Sequence, residues 1–280
     1  MEVAERIRAH SIQLTAAERR VAEAILAAPQ AVGFGTVADL AATAGVGAAS
    51  VVRLATKLGF DGYTDLQACI QLDLTSQLRP AAERILEAGE QATSEHAATE
   101  MANVRATLDA ASDAATSSVV ERLSDLARPV VVLSGEASAG VTHQFLSQLH
   151  QLRADVSALA GSEVAVRRDL AVLDGAATVV VIDLRRYERW VLDAHQIVQQ
   201  RGLWSAGLTD SMLSPIAARA DVAFVVAADS VGPFDSHVGT MALLNLFVAG
   251  VASRLRDTAP DRLAAVEAAW RERGTLTDTT

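Results

Sequence analysis

Residues 179–190 read VVVIDLRRYERW. Four β-branched residues, Val179 to Ile182, run without interruption into Asp183, and a strand of that kind is buried on both faces, as in a parallel sheet. Open parallel sheets bind ligands beyond the carboxyl ends of their strands. Two adjacent arginines, Arg185 and Arg186, follow this end directly. The stretch therefore sets a fold and a question: what anion, if any, do the arginines hold?

Working outward, four more short runs share the strand character: PVVVLSG (129–135), DVSAL (155–159), WSAGLTD (204–210) and DVAFVVA (221–227). Stretches with helical periodicity separate them. Strands alternating with helices predict βαβ units, and so a five-stranded parallel sheet with right-handed crossovers. Up to Arg128 the rhythm is helical instead. Thr15 and Glu18 form a capping-box pattern ahead of the stripe Val21, Ala24, Ile25 and Ala28, and Pro29 is expected to stop that helix. A second short helix opens at Thr36, carries Val37, Leu40, Ala41 and Ala44 on one face, and ends at Gly45. A third runs from Ala48 to Leu58 and closes at Gly59. Thr64 to about Leu78 continues as helix, and residues 79–128 hold one or two more. The expected organisation is a helix-turn-helix domain over 1–77, a helical connector over 78–128 and a sheet domain over 129–280.

The totals bound the function. A net charge of −10 over 280 residues excludes a protein coated in positive charge, such as a non-specific nucleic-acid packager. A DNA-binding module needs only local cations. Aromatics make up 4% of the chain, so its core is aliphatic. The single cysteine, Cys69, cannot close an internal disulfide, which suits a reducing cytoplasm. MEVAERIRAH at the N-terminus has no apolar signal core, and Met241–Ala252, interrupted by Asn245, is too short to span a bilayer. The expectation is a cytoplasmic protein with no membrane partner. No nucleotide-phosphate loop, nucleophile elbow or zinc motif is present, so neither a cofactor nor a metal is expected.

TVADLAATAGVGAASVVRLATKLGF (36–60) has the layout of a helix-turn-helix. At 100° per residue, Val51, Leu54, Ala55 and Leu58 cluster on one side of its second helix. Ser50, Arg53, Thr56 and Lys57 occupy the opposite arc. Short polar groups and longer cations on such a face suit base edges and phosphates. With Thr36 these are the candidate DNA-contacting residues, and Lys57 is the only lysine in the chain. The alternative is a bundle helix with a solvated polar face. Residues 1–77 carry eight acidic groups against six Lys and Arg, so DNA affinity would rest on a few contacts and on dimerisation.

LTAAERRVAEAILAAPQAV followed by TVADLAATAGVGAASVVRLATKLGFDGYTDLQ resembles the N-terminal domain of the MurR/RpiR transcriptional regulators. The shared features are Leu14 to Leu26, the pair Leu40-Ala41, and the segment Val51 to Tyr63. The chain departs from the family at Gly47-Ala48-Ala49-Ser50, which replaces a serine-acidic-proline-threonine entry to the recognition helix. That removes the hydroxyl N-cap and any base contact at Ala48 and Ala49. The resemblance implies a double-stranded operator as partner, a homodimer or homotetramer, and an α/β flavodoxin-like SIS (sugar isomerase-like) domain after the all-α N-terminal domain. In this family the SIS domain binds phosphosugars.

The sheet half looks like a divergent copy. VVVLSGEASAGVTHQFLSQL sits at the family's glycine-rich loop, with Ser138 in the serine position and Ser134 and Glu136 replacing glycines. LTDSMLSPIAARADVAFVV (208–226) is similar to the fourth strand, a helix start at Pro215 and the fifth strand. PFDSHVGTMALLNLF brings Ser236 to the expected place. After the third strand, Asp183 to Glu188 replaces the hydroxyl-rich phosphate loop of phosphosugar-binding members.

The candidate ligand residues are thus Ser134, Ser138, Asp183, Arg185, Arg186 and Ser236, and the expected effector is a small anion: a sugar phosphate, a sugar acid or an organic acid. The opposing reading is that Arg185 or Arg186 pairs with Asp183, Glu188 or a partner subunit and that the effector site is lost; a third joins the two, with one arginine structural and one in the pocket. Glu136, His143 and His237 are candidate bases for an isomerase, the alternative to a regulator without enzymatic activity. His143 and His150 share a predicted helix face with no third metal ligand at suitable spacing.

Overall fold

A computed structural model describes residues 3–10, 13–27, 29–77, 81–87 and 93–275. Ala28, Leu78 and the expected domain boundary after residue 77 lie at or against positions outside the described residues.

The N-terminal half is helical: α1 (Val3–His10), α2 (Ala16–Ala27), α3 (Pro29–Phe34), α4 (Val37–Thr43), α5 (Ala48–Lys57) and α6 (Tyr63–Gln77). The capping box expected at α2 is present, with Thr15 N donating to Glu18 Oε2 at 2.9 Å and Glu18 N to Thr15 Oγ1 at 3.3 Å. Pro29 ends one helix and begins the next, since a proline at the first position of a helix loses no hydrogen bond. Gly45 takes φ +61° in the tight turn between α4 and α5. Val51, Leu54, Ala55 and Leu58 are all buried, as their spacing predicts. Helix α1 had no reading in the sequence. Its Val3 and Ile7 join the core, and Arg6 lies 4.1 Å from the centre of the Phe60 ring while donating to Leu58 O and Gly59 O.

Three connecting helices follow: α7 (Ala81–Glu87), α8 (Thr93–Ala110) and α9 (Asp113–Ser124). The sheet half then runs β1 (Val130–Ser134), α10 (Ala139–Leu152), β2 (Val156–Leu159), α11 (Glu163–Val172), β3 (Thr178–Ile182), α12 (Arg189–Gln200), β4 (Trp204–Thr209), β5 (Val222–Val225), α13 (Val238–Arg254) and α14 (Ala259–Glu272). The five strands are parallel in the order β2-β1-β3-β4-β5. Alternate residues of β1 and β3 feed two aliphatic cores. Val130, Val132, Val180 and Ile182 meet α9, α10 and α13 on one face, while Val131, Leu133, Val179 and Val181 meet α11 and α12 on the other. That double burial is why these strands read as unbroken β-branched runs.

Two expectations need correction. Residues 79–128 hold three helices rather than one or two, and Pro215 does not start an α-helix: residues 212–219 form turns, with Arg219 N and Ala220 N both donating to Ile216 O. The connection is pressed onto β4, where a Cβ on Gly207 would meet Ile216 Cγ2 at 2.8 Å. This approach keeps the return to β5 short. Among the described residues no single helix is long and apolar enough to cross a membrane.

Candidate functional site

Two surfaces carry the candidate residues. On the helix-turn-helix, Thr36 caps α4. Its hydroxyl accepts from Asp39 N at 3.2 Å, and Asp39 Oδ2 accepts from Thr36 N at 2.8 Å. Ser50 is buried rather than on the polar arc, and its Oγ accepts from Arg53 Nη2 at 2.8 Å. Lys57 is engaged as well: Nζ lies 2.8 Å from Glu18 Oε2 and 2.8 Å from Gln13 O. This pairing, with the Thr15 amide, holds the Glu18 carboxyl down at about 2. The exposed face of α5 therefore consists of Ala48, Ala49, Val52, Arg53 and Thr56. The sequence reading missed Val52, which is 42% exposed in the middle of the helix; a lone apolar residue among polar ones gave no signal. Helix α5 begins at Gly47 with no side-chain cap, in line with the missing hydroxyl.

In the sheet domain, β1 and β3 end flush, Ser134 beside Ile182. They flank the point where the strand order reverses, the usual ligand crevice of such sheets. A cavity of about 420 Å³ opens here, lined by Arg84, Asp183, Arg185, Arg186, Glu188, Phe234, Asp235 and His237 among others. Arg84 comes from the connector helix α7. It donates to Asp235 Oδ1 at 2.6 Å and to Gly232 O at 3.2 Å, which fastens α7 over the cavity. Arg185 reaches the same Asp235 oxygen at 3.4 Å and Asp229 Oδ1 at 2.8 Å. Arg186 is exposed and makes no ion pair or hydrogen bond to the described residues.

The loop after β3 folds around carboxylates. Asp183 accepts from Leu184 N at 3.0 Å and Glu188 N at 2.8 Å. Asp210, at the end of β4, accepts from Arg185 N and Tyr187 Oη, at 2.7 and 2.8 Å. Those bonds hold Arg185 at φ 55°, a left-handed backbone that a bulky residue adopts only under constraint. Burial pushes Asp183 up to about 6 and raises Asp210 as well. Tyr187 is also raised, mainly by burial. Glu188 turns its carboxylate onto the β1–α10 turn, where it accepts from Glu136 N, while Oε2 accepts from Trp190 Nε1 at 2.6 Å.

The remaining candidates divide around this loop. Ser134 lines a second cavity of about 430 Å³, beyond Glu188, with Thr142, His143 and Trp190. Ser138 is fully buried at the start of α10, and its Oγ has no partner among the described residues. Ser236 is buried and donates to Glu100, so it ties α8 to the last loop. His237 caps α13 at the rim of the first cavity, and burial lowers its pKa. His143 and His150 line a groove between α10 and α14 instead. The sequence reading missed Arg84 and Asp235. Neither belongs to a local motif, and they are 151 residues apart. Among the described residues no three His, Cys, Asp or Glu side chains converge as a metal site.

Residues 1–77 match the model of the helix-turn-helix domain of the rpiR family, and residues 154–250 match the SIS domain. The HTH-type transcriptional regulator HexR of Pseudomonas aeruginosa is 28% identical over 260 residues, covering 89% of each chain. The sugar isomerase domain of an RpiR transcription factor from Sphaerobacter thermophilus superposes with a TM-score of 0.59 at 29% identity, over 64% of this chain and 99% of that one. NanR of Vibrio vulnificus, solved with ManNAc-6P, superposes with a TM-score of 0.57 at 18% identity, over 96% of this chain and 98% of that one.

Proposed function

With an rpiR-family helix-turn-helix joined to a SIS domain, the chain has the build of an RpiR/MurR-family transcriptional regulator, and we propose that it binds operator DNA through α5 and senses a small anionic metabolite in the cavity at the ends of β1 and β3. Two-fold assembly follows from half-site recognition, because one short helix reads too few bases alone. Arg53 and Thr56 take phosphates or base edges, and Val52 takes a thymine methyl. Lys57 mainly ties α5 to α2.

The observation that carries this reading is the double tie between cavity and DNA-binding half. Arg84 of the connector shares Asp235 with Arg185 of the β3 loop. Met212 and Leu213, just past Asp210, pack into the hydrophobic core of the helix-turn-helix. A ligand in this cavity would sit against the Arg84–Asp235–Arg185 cluster and so bias both connections. The test is selection of bound duplexes from randomised DNA, followed by anisotropy titrations with and without candidate metabolites. Failure to enrich any sequence sinks the regulator. An enriched operator whose affinity no metabolite alters leaves a DNA-binding protein with an inert SIS domain.

An isomerase is the second reading, favoured by His237 and Asp183 facing one cavity. Both oxygens of Asp183 already accept backbone amides, which argues against its acting as a free base. Turnover of a sugar phosphate by the purified protein would reinstate it.

A further inference from the structure

The amides and hydroxyls that converge between β1 and β3 look suited to an external anion, yet the chain fills that place itself. Glu188 Oε1 accepts from Glu136 N in the β1–α10 turn, and Oε2 accepts from Trp190 Nε1. The Glu188 backbone N–H is anchored in turn by Asp183 Oδ2. A Cβ on Gly135 would lie 2.7 Å from Asp183 Oδ1 and 2.9 Å from Glu188 Oε1, so carboxylate oxygens already press on the backbone there. Two residues past Glu136, the fully buried Ser138 Oγ has no partner among the described residues. In the β3 loop the amides of Leu184, Arg185 and Glu188 are likewise taken, by Asp183 or Asp210.

We propose that Glu188 is a tethered anion occupying the seat between β1 and β3, and that the external ligand is a phosphate-free carboxylate held at the cavity mouth by Arg186. The ligand class follows from charge balance. Arg84 and Arg185 are already paired with Asp235 and Asp229, and among the described residues Arg186 alone brings an uncommitted cation to a cavity that also contains Asp183 and Glu188. One free guanidinium balances one negative charge, and its planar fork matches a carboxylate through two parallel hydrogen bonds. A phosphate dianion would meet the same single cation with the nearby carboxylates repelling its second charge.

This inference rests on the effector-sensing reading and deepens it, so the experiment separates the two. Thermal melts of the full chain are followed with gluconate, glucose 6-phosphate and inorganic phosphate at matched ionic strength. The proteins are wild type, Arg186→Ala and Glu188→Ser; the serine empties the seat and leaves a hydroxyl at the N-cap of α12. Wild type should melt roughly 5 °C higher in gluconate near a hundredfold excess over Kd and should not respond to either phosphate. Arg186→Ala should lose the gluconate response, and Glu188→Ser should gain one to inorganic phosphate. Wild type that responds to glucose 6-phosphate as strongly as to gluconate overturns the tethered anion while leaving effector sensing intact. Wild type indifferent to gluconate overturns the carboxylate assignment. If operator affinity is equally indifferent to every metabolite, effector sensing falls with it. The wild-type arm decides the matter even if Glu188→Ser fails to melt cooperatively.

Discussion

At the scale of single residues, the two cations of α5 do different work. Among the described residues Arg53 is exposed and tied only to Ser50, so Arg53→Ala should weaken operator binding and reduce its salt slope by about one. Lys57 is bound to Glu18 and to the Gln13 carbonyl. Lys57→Ala should therefore lower folding stability, by roughly 1–3 kcal/mol if the buried carboxylate is left unpaired, and raise the pKa of Glu18. Denaturant melts beside anisotropy titrations would show the contrast; equal operator salt slopes for Arg53→Ala and wild type would remove Arg53 from the interface. Two buried groups set opposing pH dependences. Burial lowers His195 to about 4, so the unfolded chain binds the extra proton and stability falls as pH drops from 6.5 to 4. Asp183 is raised to about 6, so the native state holds the extra proton and stability falls as pH rises from about 4 through 6. Each is worth about 3 kcal/mol and they largely cancel in that window. Asp183→Asn removes one slope, and its melting temperature should climb more steeply between pH 4 and 6.5 than that of wild type. Parallel profiles would mean that Asp183 ionises normally.

At the scale of elements, helix α8 is stitched to the sheet by polar contacts rather than by an apolar stripe. Asn103 exchanges two hydrogen bonds with the backbone of Asp229, and Thr107 Oγ1 accepts from Ala227 N at 2.9 Å. Gly239 lets α13 pass against this seam: a Cβ there would meet Thr107 Oγ1 at 2.5 Å and Ala227 O at 2.7 Å. Gly239→Ala should cost about 1–3 kcal/mol by overpacking, read as a lower denaturation midpoint. An unchanged midpoint would show that the helices separate freely. Arg153 is a comparable case. It is almost fully buried, and its guanidinium donates to the carbonyls of Leu123, Asp125 and Arg128, closing the loop between α9 and β1 and the loop before β2.

At the scale of the whole molecule, the link between the halves is carried by few groups. Leu213 is 4% exposed and belongs to the helix-turn-helix core although it sits between β4 and β5. Leu213→Ala should cost about 2–4 kcal/mol of interface packing and split a single melting transition into two, since the halves would then unfold independently. One sharp transition in the variant would assign the coupling to α7 and α8 instead. Arg84 offers the second test: Arg84→Ala should leave operator affinity without ligand near the wild-type value and blunt its response to ligand, measured by anisotropy.

Much of the fold was legible because the signals are local. Unbroken β-branched runs located β1 and β3, the two strands buried on both faces, Thr15 with Glu18 marked a helix start, and the spacing of Val51, Leu54, Ala55 and Leu58 gave the buried face of α5 without any long-range information. The Asp183–Glu188 loop, too, stood out in the sequence as the place where the chain departs from a hydroxyl-rich phosphate loop. What the chain order could not reveal is which charge meets which. Lys57 finds Glu18 across 39 residues, Glu188 finds the Glu136 amide across 52, and Arg84 finds Asp235 across 151. Side-chain pairing depends on distances that exist only once helices and sheet have packed. The sequence determined where the strands end and that arginines stand there; the tertiary structure alone decided that, among the described residues, two of the cavity's three guanidiniums are already paired, and that a carboxylate of the chain itself lies between β1 and β3.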